Sequence, residues 1–571
     1  MKKYLVLIWL WAFIGCTPKN EKIEFRTICN PVDLSYRFCL DKPSRREAAD
    51  PSIVFFQGEY YLFLSRSGGY FHSTDLINWN LITTNDLPIE NYAPTAVVVE
   101  NIIYFMTSGV PRIFKTNDPK SGKWQIAKEN FQVKESDPML FLDDDGRLYY
   151  YGGCSNKNPI IGVEVDRNTL DIIGSPIPLI SNNKEKLGWE VRGDYNERQD
   201  INDNPWIEGA WMNKYNGKYY LQYSGPGTQF KSYNDAVYES NTPLGPFVLA
   251  KHNPFAYKPG GFAPGAGHGS TFLNKYGNFF HIGTVAISMN HPFERRLSLF
   301  PTFFDSEGSM YAYTGFGDFP MIVPESKISS PNELFPGWML LSYDKNIEVS
   351  SCMDSYPAKN AVDEDIRTWW SAQTGDKGEY FLVDLGEICQ VFAFQVNFAD
   401  QDASIIGRES DSYYQYIVEQ SVDGKKWKMV TDKSQNNVKE ATHDYVQLES
   451  PVKMRYIRIT NVRMPSGKFS LSDFRVFGKS SKPAPENTSF TVKRDIIDKR
   501  VVKLNWKNVP NVTGYNIRFG SQKNMMYQNY AVYGKNELTI RSLNADKPYF
   551  FTIDTFNEGG ITRGNSIISC E

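Results

Sequence analysis

A chain of 571 residues is longer than one hydrophobic core usually organises, so length alone predicts about three or four domains. The net charge of −3 is small for this size and no basic stretch interleaves with aromatics, which excludes a nucleic-acid binder and favours a neutral or weakly charged partner. Aromatic residues make up 15% of the chain, with Tyr and Phe far outnumbering Trp, a composition suited to β-strands and to sugar-stacking surfaces.

The first element is a leader over residues 1–16. Lys2 and Lys3 form a positive start, and Tyr4 to Ile14 an apolar stretch too short to span a bilayer. It ends at Phe13-Ile14-Gly15-Cys16, which resembles the bacterial lipobox apart from Phe13 in place of the usual Leu. That resemblance implies an exported lipoprotein of the outer membrane, facing the periplasm or the cell exterior and touching the membrane through a lipid on Cys16 alone; ordinary secretion stays open. An exported chain can keep disulfides. Cys29 with Cys39, and Cys352 with Cys389, are the pairs to test against free thiols, and no cysteine shows metal-ligand spacing.

After a tether over 17–44, residues 45–330 carry an internal repeat. Asp50 opens an apolar strand that turns at Gly58 into an aromatic strand from Tyr60. Asp137 does the same through Asp145-Gly146 to Leu148, Glu208 through Asn216-Gly217 to Tyr219, and His268 through Gly277 to Phe279. A weaker copy runs from Ala93 through Asn101 to Ile103. Each unit is a hairpin signal of antiparallel sheet, and five units predict a five-bladed β-propeller. The polar residues that open the units then converge at one channel mouth. Between the third and fourth units lies a charged insert, Gly188 to Asp203, which either walls the pocket or is a solvated excursion.

Past residue 335 the pattern changes. Asn360 to Asp363, Thr368-Trp369-Trp370, Phe381 to Gly386, Ser421 to Trp427, Arg455 to Ile459 and Phe474 to Gly478 resemble a discoidin-like module, a jelly-roll β-sandwich over 335–479. Trp369, Trp370 and Tyr413 are its candidate sugar contacts. Its loop acids Asp363 and Asp365 resemble the structural calcium loop of such modules, which implies a structural calcium ion. A Ser-, Lys- and Pro-rich linker over 480–488 precedes residues 489–571, where Val502 to Trp506, Gly514 to Arg518 and Leu543 to Ile553 resemble a fibronectin type III β-sandwich, read as a spacer or protein-contact module. The fold class expected is all-β throughout.

Glycoside hydrolysis needs one carboxylic acid to protonate the leaving oxygen and one carboxylate to activate water or attack the anomeric carbon. Ala49-Asp50-Pro51-Ser52, Ser136-Asp137-Pro138 and Ile207-Glu208-Gly209 resemble, in order, the three motifs of glycoside hydrolase family 43. The resemblance implies Asp50 as general base, Glu208 as general acid, and Asp137 as the group that orients Glu208 and keeps it protonated. It also implies inversion, with Asp50 and Glu208 roughly 6.5 to 9.5 Å apart. His268 matches a fifth-blade His at the channel, a candidate substrate or metal ligand, and one of Arg295 and Arg296 matches a sugar-binding basic position. Tyr92, Trp79 and Trp211 are candidate stacking surfaces. The chemistry requires no cofactor.

The implied activity is exo-acting release of a terminal pentose, β-xylose or α-L-arabinofuranose, from a polysaccharide or oligosaccharide. The alternatives are an exo-β-galactosidase on the same scaffold and a non-catalytic glycan-binding lipoprotein. The sequence sets no oligomeric state.

Overall fold

The computed structural model describes residues 22–198, 204–287, 289–409, 412–437 and 442–571. The expected lipidation at Cys16 therefore lies outside the described residues, as does the 199–203 part of the insert. The described chain is all-β, its few helical turns being short 3-10 segments between strands.

Five four-stranded antiparallel sheets follow one another between Ser52 and Ala312. Their innermost strands are Ser52–Phe56, Thr95–Val99, Met139–Leu142, Glu208–Tyr215 and Gly267–Leu273. Each touches the next and the fifth touches the first, so the ring closes as a five-bladed propeller. The strands are apolar on both faces because each blade is sandwiched between two others. Tyr60, Leu62 and Phe71 of the first blade pack on Phe280, Leu297 and Leu299 of the fifth, and each of the four other seams holds an equivalent cluster. Burying one such side chain stabilises the fold by about 1.5–3 kcal/mol. The lead-in segment seals the closing seam, where Val32 N–H donates to Leu297 O at 2.8 Å and Thr27–Ile28 pairs with Met321–Ile322.

Met339 to Lys479 form one eight-stranded arrangement around a large apolar core. Trp370 is at the centre of that core and fully buried, so it is a packing residue and not a sugar contact. Residues 490–570 form a second sandwich of two sheets, with Trp506 in its core and the Tyr549 hydroxyl accepting from Asn544 N–H at 2.9 Å. None of the six described cysteines is paired. Cys29 instead donates to Asp318 O at 3.1 Å, and Cys39 points at Glu47 Oε2.

The modules are joined through buried polar contacts. Arg475 makes a two-pronged bond to Glu364, at 2.7 and 3.0 Å, within its own module and reaches Asp318 O of the propeller at 2.6 Å. Arg46 bonds Asp400 and the Tyr414 hydroxyl across the same seam. The start of the insert is packed against another module, while Tyr195, Glu197 and Arg198 are exposed. It clamps the C-terminal sandwich: Gly188 N–H donates to Leu543 O at 2.9 Å, and a Cβ at residue 188 would stand 2.2 Å from Arg541 O, so only glycine allows that approach. Farther along, Asp194 accepts from Arg367 at 3.0 and 3.2 Å, while Arg367 also donates to Ala286 O and Gln229 O.

Candidate active site

Each innermost strand is entered through a residue in the left-handed region: Asp50 (φ 51°), Ala93 (49°), Asp137 (55°), Gly209 (61°) and His268 (39°). Four of the five are not glycine, and such a conformation costs a non-glycine residue roughly 1 kcal/mol or more, least for Asp. The residue before each head faces a partner on the second strand: Ala49 faces Ser65, Tyr92 faces Ser108, Ser136 faces Gly153, Glu208 faces Ser224 and Gly267 faces Thr284. This register corrects the sequence alignment of the heads. Gly209, not Glu208, is the counterpart of Asp50 and Asp137, and Glu208 sits one residue earlier.

Four of the five facing residues carry a hydroxyl, and each hydroxyl accepts the head N–H of the following blade. Ser65 accepts from Ala93 at 2.8 Å, Ser108 from Asp137 at 2.8 Å, Ser224 from His268 at 2.6 Å and Thr284 from Asp50 at 3.1 Å. The ring breaks at the third blade, where the facing residue is Gly153. There Gly209 N–H donates to Asp137 Oδ2 at 3.3 Å instead, so a carboxylate replaces the missing hydroxyl. Gly209 is itself required, because a Cβ would stand 2.8 Å from the His268 ring.

The three carboxyl groups meet at this mouth in different surroundings. Asp50 Oδ2 accepts from Ser65 Oγ at 2.5 Å and Oδ1 from Arg295 Nη1 at 3.0 Å, with His268 Nδ1 3.3 Å from the same oxygen. Burial works against its charge, yet Arg295, His268 and the Ser65 bond outweigh it and hold Asp50 below the ordinary carboxylate range. Asp137 accepts from Ser108 Oγ at 3.3 Å and lies 3.7 Å from His268 Nδ1. Burial, opposed by His268 and helped by the charges of Glu208 and Asp50, pushes it up to about 6. Glu208 is only half-buried; Tyr233 OH donates to Oε1, and Cys154 Sγ lies 3.2 Å from Oε2.

The other expected residues divide between this mouth and the scaffold. Arg295 is at the mouth, bonding Asp50, Glu47 and, at 3.4 Å, Thr228 Oγ1. Arg296 faces the other way: its guanidinium donates to His443 Nε2 at 3.1 Å and to Arg46 O at 3.0 Å, so it ties the propeller to the next module and does not face sugar. Tyr92 is at the mouth, its ring 5.7 Å from the Arg295 guanidinium and 6.1 Å from the Phe293 ring. Trp79 packs in the seam between the first and fifth blades, and Trp211 donates to Thr271 O at 3.0 Å and packs with the cluster between the third and fourth, so both are wedges and not stacking platforms.

Burial alone would lower the His268 pKa, but Asp50, Asp137, Glu208 and Asp235 raise it, and its Nδ1 stands between Asp50 Oδ1 and Asp137 Oδ2 at 3.3 and 3.7 Å. The calcium expected in the second module does not fit the residues present. In the loop of the second module, Asp365 Oδ2 is 2.8 Å from Lys231 Nζ, and Asp363 accepts from Thr368 Oγ1 at 2.7 Å and from Asp365 N–H at 3.0 Å. A protein ammonium thus stands beside the carboxylate where calcium was expected.

Sequence reading missed Ser65, Ser108, Thr228, Tyr233, Cys154 and Phe293 at the mouth. A signal for the first two existed: a Ser or Thr recurs about fifteen residues after each head, at Ser65, Ser108, Ser224 and Thr284, and fails only at Gly153.

Residues 43–309 match glycosyl hydrolases family 43, and residues 346–473 match the F5/8 type C domain. Among curated relatives, the chain is 25% identical over 237 residues to the beta-D-galactofuranosidase xynD of Aspergillus niger, covering 35% of this chain and 62% of that protein. It is 27% identical over 215 residues to a xylosidase/arabinosidase of Butyrivibrio fibrisolvens, covering 32% of this chain and 38% of that protein. The chain thus spans less than two thirds of the length of either. Among solved structures, a thermostable family-43 glycoside hydrolase matches with a TM-score of 0.43 and 22% identity, covering 53% of this chain and all of that one.

Proposed function

From a chain that carries a family 43 glycosyl hydrolase domain followed by an F5/8 type C domain, we infer an inverting, exo-acting glycoside hydrolase that releases a terminal pentose, β-xylose or α-L-arabinofuranose. The observation that carries this reading is the division of labour among three carboxyl groups at one mouth. Asp50, held ionised by Arg295, His268 and Ser65, is the base that takes a proton from water. Glu208, half-buried and gripped at one oxygen by Tyr233, is the acid that protonates the leaving oxygen. Asp137 does not reach the sugar in this reading. It bonds the backbone of Gly209, which fixes the strand entrance carrying Glu208.

The sugar class rests on the names of the relatives, which cover xylosidase, arabinosidase and galactofuranosidase. A galactose-configured substrate is the second reading, favoured by the relative named a beta-D-galactofuranosidase. Acylation of Cys16 would tether the enzyme to a membrane through lipid, with a polysaccharide or oligosaccharide as its partner.

The test is hydrolysis of aryl pentosides and galactosides by the full chain, with the first-released anomer read by NMR. Asp50→Asn and Glu208→Gln are each expected to lose about 10²–10⁴-fold in kcat, since each removes one proton-transfer group. Undiminished activity in both variants, or release with retained configuration, would overturn the assignment.

A further inference from the structure

We propose that Asp137, Cys154 and Glu208 form a binding site for one thiophilic divalent cation, zinc or cadmium, and that loading it switches the catalytic mouth off. The inference rests on the reading of Glu208 as the acid for its consequence, though not for the binding itself.

The site exists because of the break in the hydroxyl ring. With Gly153 in place of a Ser, the next residue, Cys154, brings its thiol to Glu208, and Asp137 is drawn in to satisfy Gly209. One carboxylate oxygen from each acid and the Cys154 sulfur lie within 4.8 Å of one another. Ligand atoms on a tetrahedral zinc ion sit about 3.2–3.8 Å apart, given Zn–S near 2.3 Å and Zn–O near 2.0–2.2 Å, so a small side-chain adjustment closes the set. A sulfur with two carboxylate oxygens suits zinc or cadmium and discriminates against calcium and magnesium, which take oxygen alone. Cys154 and Glu208 are both half-buried, so an ion from solvent can reach them.

Loading replaces the S–H bond of Cys154 by a sulfur–metal bond and sends that proton to solvent; a proton held by Asp137 or Glu208 leaves with it. Glu208 then has no proton to give the leaving oxygen.

The experiment uses the full chain and two variants, Cys154→Ser and Cys154→Ala, checked for an unchanged melting transition. Cadmium titration followed by the ultraviolet thiolate-to-metal charge-transfer band reports binding without any substrate. Wild type is expected to show a band, equal to one bound ion, that both variants lack. In parallel, zinc inhibition of aryl-glycoside hydrolysis is expected to be reversed by chelator and to be at least tenfold weaker in each variant relative to that variant's own metal-free rate. Equal bands in wild type and variants, or equal zinc sensitivity, would overturn the proposal. A cysteine-dependent band with no hydrolysis of any glycoside would support the site and count against the proposed function instead.

Discussion

Two buried charge clusters in this molecule are put to different uses. At the seam around Arg475, two cations meet three buried acids: Arg475 is bonded twice to Glu364, Lys258 Nζ lies 2.6 Å from Asp318 Oδ2, and Asp473 accepts from Glu364 N–H at 3.1 Å. At the mouth, Asp50, Asp137 and Glu208 face Arg295 and His268, and Arg295 is further shared with Glu47. The seam's cations are spent on holding modules together, and its third acid, Asp473, is pushed well above the ordinary carboxylate range by burial and the charge of Glu364. At the mouth, burial and then the charges of Glu208 and Asp50, opposed by His268, push Asp137 up to about 6. What differs is access: Glu208 at the mouth is half-buried, while the three seam acids are buried.

Removing one acid from each cluster breaks this comparison most directly. Glu364→Gln leaves Arg475 fully buried with its counter-charge gone, and is expected to destabilise by about 3–5 kcal/mol. The readout is the thermal or denaturant transition of the full chain, and a loss under about 1 kcal/mol would show that the seam is not held by this pair.

Asp137→Asn is expected to act in the opposite direction. A carboxyl whose folded pKa lies above its unfolded value holds its proton more tightly when folded. Folding therefore becomes less favourable as pH rises from about 4, where both states are protonated, through about 6, where the folded state ionises. The amide escapes this, so the variant should be more stable than wild type by about 1–3 kcal/mol at pH 7–8, with the gain vanishing near pH 4. Activity should fall in the same variant, as the carboxylate beside Glu208 is replaced by a neutral amide. Equal melting temperatures of wild type and variant across this pH range would show that Asp137 carries no strain.

The contrast also explains what was legible in the sequence. Blades were legible because an apolar strand, a Gly or Asn turn and a second apolar strand recur locally, and the acids could be found because they stand at the openings of those units. The one-residue offset of Glu208 was not, since it shows only in the cross-strand pairing, where Glu208 faces Ser224 as Gly267 faces Thr284. The functions of Trp79 and Trp211 were misread because aromatics that wedge blades apart and aromatics that stack on sugar have the same composition. The joining of modules was invisible for another reason: Arg46 and Asp400, or Gly188 and Leu543, are hundreds of residues apart, and nothing near either residue announces its partner.

The sharpest local form of the comparison is a pair of neighbours. Arg295 and Arg296 are adjacent, and because side chains alternate along a strand, one serves the mouth and the other the seam. Phe293, 39% exposed, covers Arg295 at 5.4 Å and stands beside Tyr92, so it is the aromatic rim that a sugar ring would meet. Phe293→Ala is therefore expected to raise KM about fivefold, close to 1 kcal/mol of lost ring contact, with the melting temperature unmoved. Arg296→Lys should do the reverse, lowering the melting temperature by a similar energy while KM holds, because an ammonium cannot span His443 and Arg46 O together. If instead Arg296→Lys moved KM and Phe293→Ala moved stability, the boundary between mouth and seam would not run between these two arginines.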